Sequence, residues 1–398
     1  MTYKKSGWDI ISITENRLVN VLIALFASAK FGFILFHISG VIFNPVASYE
    51  VGESMLNYSQ GFQRRSLLGA FVLLFTSHIA YIYLLLKVLG LLGLGCLIFI
   101  ILLQIRKYAG RFIVGFIIIF TCSPFGMSFY CDWFLKKEVL FFAFFLMAFF
   151  ALRIDNEKSR FVIINILVVL GCLVHESFVF LGLPFISCLC YIKGQKAKYN
   201  MSLYLTALAT IIAIFLFSAG PEPALTNYLI SMQRIGLDTL GDFANPVKYM
   251  RMGQIPLLRY LFERVKVSSI SFYVLLYLVN LFLVCTLLKT YAMSSRLTGK
   301  IFSSLLYINL AMLPLLFMGI DYGRWFSFAF LSSVTLFSIA LSNHKLIAPS
   351  RPVHFSAARN WVIFSVFFLL IKIPLNTIFD RHSVESWGKT FLTFKNGD

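Results

Sequence analysis

The stretch SLLGAFVLLFTSHIAYIYLLLKVLGLLGLGCLIFIILLQI, Ser66 to Ile105, decides how this chain is laid out. A helix that crosses the hydrocarbon of a bilayer takes about 20 apolar residues. This stretch is too long for one such helix and barely long enough for two. If it crosses twice, Arg106, Lys107 and Arg111 fall on the far side from the cytoplasm, and every later charged cluster changes sides. If Ser66–Ser77 forms a short re-entrant or interfacial helix and only Ile79–Ile105 crosses, those three basic residues are cytoplasmic. The positive-inside bias favours the second arrangement.

Upstream, Lys4, Lys5 and Arg17 place the N-terminus in the cytoplasm, ahead of a first span over Leu18–Phe43. No cleavage signature accompanies it, so it is read as a retained anchor. Residues 46–78 then form a first external segment that carries the short helix. Downstream, spans are expected near Phe112–Met127 and Val139–Leu152, then one running out to His175-Glu176 and one returning to Lys193. A span over Leu203–Phe217 opens the long external loop 220–266, and three more spans follow. A last one, over Trp361–Leu375, leaves the C-terminal tail outside. The cytoplasmic connections carry the groups Arg153, Lys158 and Arg160, then Lys193, Lys196 and Lys198, then Lys289, Arg296 and Lys300, then Lys345, Arg351 and Arg359. The expectation is an all-α polytopic membrane protein, residues 1–398 forming a single integral membrane domain of about 11 spans, within about 10 to 12.

Composition agrees with that class. With 59% hydrophobic and 13% charged residues, the chain cannot dress a soluble globule in a polar skin. Alternating strand patterns of a barrel are missing. The 44 Phe residues suit lipid-facing surface. The net charge of +18 is spread in short clusters between apolar runs, so membrane lipids rather than nucleic acid are the expected partners. The seven Cys show no metal spacing and mostly lie in apolar runs, where a disulfide framework is not expected.

Four charged clusters interrupt this background: Gln63-Arg64-Arg65, Lys136-Lys137-Glu138, His175-Glu176 and Asp321-Tyr322-Gly323-Arg324-Trp325. Ionisable groups at or within a bilayer are costly and tend to line sites or water-filled cavities. Under the expected topology all four face outward, beside spans that look short enough to border a cavity. Arg64, Arg65, Lys136, Lys137 and Arg324 suit phosphate, the arginines as forks and the lysines as point charges. His175 and Glu176 supply a group that ordinarily titrates near neutral pH beside a carboxylate, a candidate base for a hydroxyl nucleophile. Asp321 pairs with Arg324 or divides the work with it, and Glu50, Glu53 and Glu138 are further carboxylates. The plainer readings stand beside these. Arg64-Arg65 as snorkelling anchors, Lys136-Lys137 as juxtamembrane charge, His175-Glu176 as a structural pair and Asp321–Trp325 as a salt-bridged turn each explain one cluster. None of them explains all four falling on one face. Walker, Rossmann and His-Glu-x-x-His patterns are missing, so neither a nucleotide cofactor nor a metal is called for.

In its whole-chain architecture, with many spans, Phe-rich composition, one long external loop and scattered external arginines, the sequence resembles Wzy-type O-antigen polymerases. More widely, it resembles GT-C-like glycosyltransferases that use lipid-linked donors. The resemblance implies polymerisation of undecaprenyl-pyrophosphate-linked oligosaccharide repeats on the periplasmic face of a bacterial inner membrane, without cofactor or metal. It also implies a chain-length regulator as a partner. In that picture Arg64, Arg65, Lys137 and Arg324 hold the donor pyrophosphate, Lys136 and Glu138 lie beside them, and His175 or Glu176 deprotonates the acceptor. Asp321 then assists, and Arg234 and Arg251 of the long loop position the acceptor glycan. Such polymerases often carry two comparable Arg-containing loops, whereas only one loop is long here. No Asp-rich motif stands in the first external segment either. A flippase or transporter of lipid-linked oligosaccharide is the alternative; it predicts charges buried in mid-span and symmetry between halves.

Overall fold

The computed structural model describes residues 56–58, 65–105, 126, 136–217, 295–315 and 322–342, the pairs 371–372 and 385–386, and single positions between 25 and 39, 226 and 233, and 271 and 281. Among the described residues the chain is helical apart from one two-residue ladder. The expected spans near Leu18–Phe43, Phe112–Met127 and 267–288 lie mostly or wholly outside these residues, as does the long loop from 234 onward.

The deciding stretch divides in two. Helix α1 is Leu67–Phe75, 9 residues, about 13 Å long and under half of a ~30 Å hydrocarbon core. It ends at Thr76, whose backbone turns extended. The Thr76 hydroxyl then accepts the His78 N–H at 3.0 Å, a local polar closure that competes with further helix. Helix α2, Ile79–Ile105, follows with 27 residues, about 40 Å. Its Ile79–Leu103 portion has a mean hydropathy of 2.7 and is long and apolar enough to cross a membrane. Leu68 and Val72 of α1 share a small core with Ile82 and Leu86 of α2, joined by Leu56 and Met232. The two helices therefore fold back on each other as an antiparallel hairpin.

The 3₁₀ turn Lys137–Leu140 leads into α3, Phe141–Ala151. Helix α4 spans Glu157–Val174 behind an Asn156 cap whose Oδ1 accepts the Ser159 N–H at 3.1 Å. Helix α5 is Phe178–Ile192 and α6 is Ala197–Phe217, a second helix of crossing length and apolarity. It starts before the expected Leu203 because its first turn keeps Lys198 helical. Helices α7, Ser295–Ala311, and α8, Tyr322–Ser342, complete the described bundle. In the tail, Ile371–Lys372 (β1) pairs antiparallel with Glu385–Ser386 (β2), Ile371 opposite Ser386. Ile371 and Lys372 fall within the expected span Trp361–Leu375, the rest of which lies outside the described residues. Pro374 disfavours helical backbone at the residue before it, and the β-branched Ile371 fits the extended form.

Helix α8 is the axis of the core. It is buried at every position from Gly323 through Ala340, and it packs on α2, α5 and α7. Its buried hydroxyls are satisfied locally in part: Ser333, Thr335 and Ser338 donate to the carbonyls four residues back. Helix α3 packs against α2, α4 and α5, and Phe328 of α8 reaches it as well. Phe141, Phe142, Phe145 and Phe149 are consequently buried rather than turned to lipid. Phe145 stacks on Phe185 at 3.8 Å between centroids and Phe142 on Phe328 at 4.9 Å. Phe141, Phe142, Phe145 and Phe149 are core, while Phe150 of the same run is exposed.

Gly93 in α2 sets where the 3₁₀ turn sits. A Cβ there would overlap the Val139 carbonyl oxygen and its side chain, whereas Gly95 faces open space. Gly93→Ala is expected to lower stability by about 1–3 kcal/mol through backbone displacement, and Gly95→Ala to raise it by about 0.5–1 kcal/mol, since that helical position faces open space. Thermal unfolding in detergent micelles reads both. Equal melting temperatures for the two variants would show that the turn is not seated on Gly93.

Helix polarity gives the bundle two unlike ends. The turn before α3, the turn between α4 and α5, and the start of α8 gather at one end. At the other, Arg153 lies over the Phe149 ring at 4.3 Å, Lys193 over the same ring at 5.7 Å, and Lys300 over Tyr191 at 5.1 Å.

Candidate functional site, a buried charged node

The first of these ends brings the charged clusters together. Arg65 immediately precedes α1, Lys136, Lys137 and Glu138 enter the 3₁₀ turn, His175 and Glu176 fill the α4–α5 turn, and Arg324 lies in the first turn of α8. Each cluster sits at a helix end because its polar residues interrupt an apolar run. The core then draws those ends into one place.

Glu138 is the centre. Its Oε1 stands 3.3 Å from Arg324 Nη1 and 3.7 Å from His175 Nε2. All three groups are buried, Glu138 at 2% exposure, so the carboxylate is held by opposed charge and polar neighbours rather than by water. His175 is fixed from its other side. The Ser177 backbone N–H donates to His175 Nδ1 at 3.1 Å, which assigns the ring proton to Nε2, toward Glu138. The lone pair that a base would use is thereby committed to the backbone.

Glu176 stands farther out, 20% exposed. It receives Arg65 Nε on Oε1 at 2.7 Å and on Oε2 at 2.8 Å, with Arg65 Nη2 also donating to Oε1. Its Oε2 lies 3.8 Å from His175 Nδ1. Arg65 adopts φ +62°, the left-handed region that side chains rarely occupy. Such backbone persists only where its surroundings over-determine it, and here two contacts do so. The guanidinium grips Glu176, and Lys137 Nζ donates to the Arg65 carbonyl at 2.8 Å. Lys137 is 2% exposed and Lys136 4%.

Among the described residues the node thus sets the four cations Arg65, Lys136, Lys137 and Arg324 against the two carboxylates Glu138 and Glu176. Guanidinium and ammonium groups held out of water are a setting in which an anion is stabilised. Arg64, Arg234, Arg251, Asp321, Glu50 and Glu53 lie outside the described residues. Among the described residues no three His, Cys, Asp or Glu side chains group as a metal site.

Two features of the node were not singled out from sequence. Ser177 is one: its N–H fixes the His175 tautomer, and its own Oγ is buried without a hydrogen-bond partner among the described residues. Its place after His-Glu and before an apolar run is an N-cap signature that would have marked it. The other is the Arg65 backbone conformation, which no local pattern announces.

The node is also deep. The Lys137–Leu140 turn packs on α2 at Gly93, about 21 Å along a helix of about 40 Å. Helix α3 has 11 residues between the turn and the basic end, about 16 Å. No protein-family model, curated protein or solved structure matches the chain.

Proposed function

We propose that this chain is a glycan polymerase of the bacterial inner membrane, acting from its outer face on oligosaccharide repeats carried by undecaprenyl pyrophosphate. The observation that carries this reading is the convergence of Arg65, Lys137, Glu138, His175, Glu176 and Arg324, from four separate sequence clusters, into one node, buried at Lys137, Glu138, His175 and Arg324 and half-buried at Arg65 and Glu176. The topology of about 11 spans belongs to this proposal. A 9-residue α1 supports it, being too short to cross, as does the basic character of the opposite bundle end.

In this reading Arg65, Lys137 and Arg324 hold the donor pyrophosphate and stabilise the charge that develops as it leaves. The acceptor hydroxyl oxygen attacks the anomeric carbon of the donor glycan and forms the new glycosidic bond. The bond from that carbon to the pyrophosphate oxygen breaks, and the pyrophosphate keeps the electron pair. Glu176 takes the hydroxyl proton. His175, whose lone pair is engaged, positions Glu138 and the turn rather than acting as the base. Arg64 is assigned to the donor pyrophosphate, Asp321 to assisting the base, and Arg234 and Arg251 to positioning the acceptor glycan; all four lie outside the described residues.

The depth of the node favours a second reading, a transporter of lipid-linked oligosaccharide, because transporters bind near the bilayer midplane. One experiment separates the two. The purified chain is reconstituted into vesicles with lipid-linked repeat units, and the products are resolved by length. A ladder of polymers is expected. Single repeats that change leaflet without joining would replace the polymerase with the transporter.

A further inference from the structure

We infer that the Glu176 carboxylate occupies the seat of a donor phosphate, and that the resting Arg65–Glu176 pair is a latch which that phosphate opens. This deepens the proposed function and rests on it. In the resting node the would-be base and the would-be phosphate clamp are spent on each other. Nε and Nη2 of the Arg65 fork both donate to Oε1 of Glu176, and Nε donates to Oε2 as well. The guanidinium thus engages both oxygens from its side, as it can engage two oxygens of a phosphate. The carboxylate therefore marks where two phosphate oxygens fit.

The pair is also the accessible part of the node. Arg65 and Glu176 side chains are 29% and 20% exposed, against 10% and 2% for Arg324 and Glu138. The Arg65 backbone is tied down by Lys137 Nζ on its carbonyl, so opening the latch needs only side-chain rotation about a fixed main chain. A pyrophosphate carries more charge than one carboxylate, so it can displace Glu176 where a monoanion would not. Displacement does two things together. It seats the leaving group against Arg65, and it frees the Glu176 carboxylate for the acceptor proton. The base is thus released only when a donor is in place.

The test is binding of inorganic pyrophosphate to the purified full-length chain in detergent micelles, by calorimetry at fixed ionic strength. Glu176→Gln removes the internal competitor and keeps the shape, so it is expected to tighten binding by about five- to tenfold. Arg65→Ala is expected to weaken it by more than tenfold. If Arg65→Ala weakens binding but Glu176→Gln leaves it unchanged or weaker, the latch is wrong and the anion site stands. If neither wild type nor variants bind saturably, the anion site and the latch fall together. A wild-type measurement covers the case of a misfolded variant. Labelling of Glu176 by a hydrophobic carbodiimide, read by mass spectrometry, is expected to rise when pyrophosphate is added, because the guanidinium has left it. Protection of Glu176 by pyrophosphate would overturn the latch.

Discussion

Glu138→Ala is expected to lower the unfolding free energy by about 3–5 kcal/mol, the cost of taking one partner out of a buried ion pair. The carboxylate it removes stands between Arg324 at 3.3 Å and His175 at 3.7 Å, and nothing in the small apolar replacement offsets the guanidinium. The loss should be visible as reduced yield of folded protein in the membrane and a lower melting temperature in micelles. A second substitution identifies the cause. Adding Arg324→Met removes the stranded cation and fills similar volume, so the double variant should recover more than half of the lost stability. Additive losses in the double variant would mean that Glu138 and Arg324 do not act as a pair.

Arg65 gives the second large effect, and its backbone allows function to be separated from folding. Arg65→Ala should reduce polymer formation by at least about 100-fold, the scale seen when a charge-stabilising donor is lost, leaving single repeat units. Arg65→Gly should be just as inactive yet about 1 kcal/mol more stable than Arg65→Ala, since glycine meets φ +62° without a Cβ penalty. Arg65→Lys keeps the charge and loses the fork, so it should fall close to Arg65→Ala in activity. Product length on a gel and melting temperature in micelles score the series. Wild-type chain length in Arg65→Lys would reduce Arg65 to a point charge and remove the bidentate seat.

Much of the bundle could be read from the amino acids because charge and apolar length carry the same message there. The break between Ser66–Ser77 and Ile79–Ile105 falls where Thr76, Ser77 and His78 offer the backbone local polar partners. The helix ends at Arg153, Asn156, His175 and Lys193 follow polar residues closely. The two-residue ladder of the tail was not read from sequence, because it depends on a partner elsewhere in the chain. The inward Phe residues of α3 also escaped, since hydropathy cannot distinguish a core from lipid, and only the surrounding helices decide. Within the node, the members could be named from residue type, but their pairing could not. The contact of Arg324 with Glu138 joins two clusters that are far apart in sequence, and nothing in either cluster announces it. Tertiary packing chooses among like charges, and sequence distance carries no information about that choice.

The position of the charged turn about halfway along α2 has an electrical consequence. Moving one charge across the whole of a 100 mV membrane potential involves about 2.3 kcal/mol. A phosphate dianion drawn inward to mid-depth through low-dielectric surroundings would therefore work against an inside-negative potential by about the same amount, roughly a 50-fold change in occupancy. A water-filled vestibule above the node would instead short-circuit that field and leave occupancy indifferent to voltage. Donor use measured across a range of imposed potentials thus reports how much of the route down to Arg65 is wet.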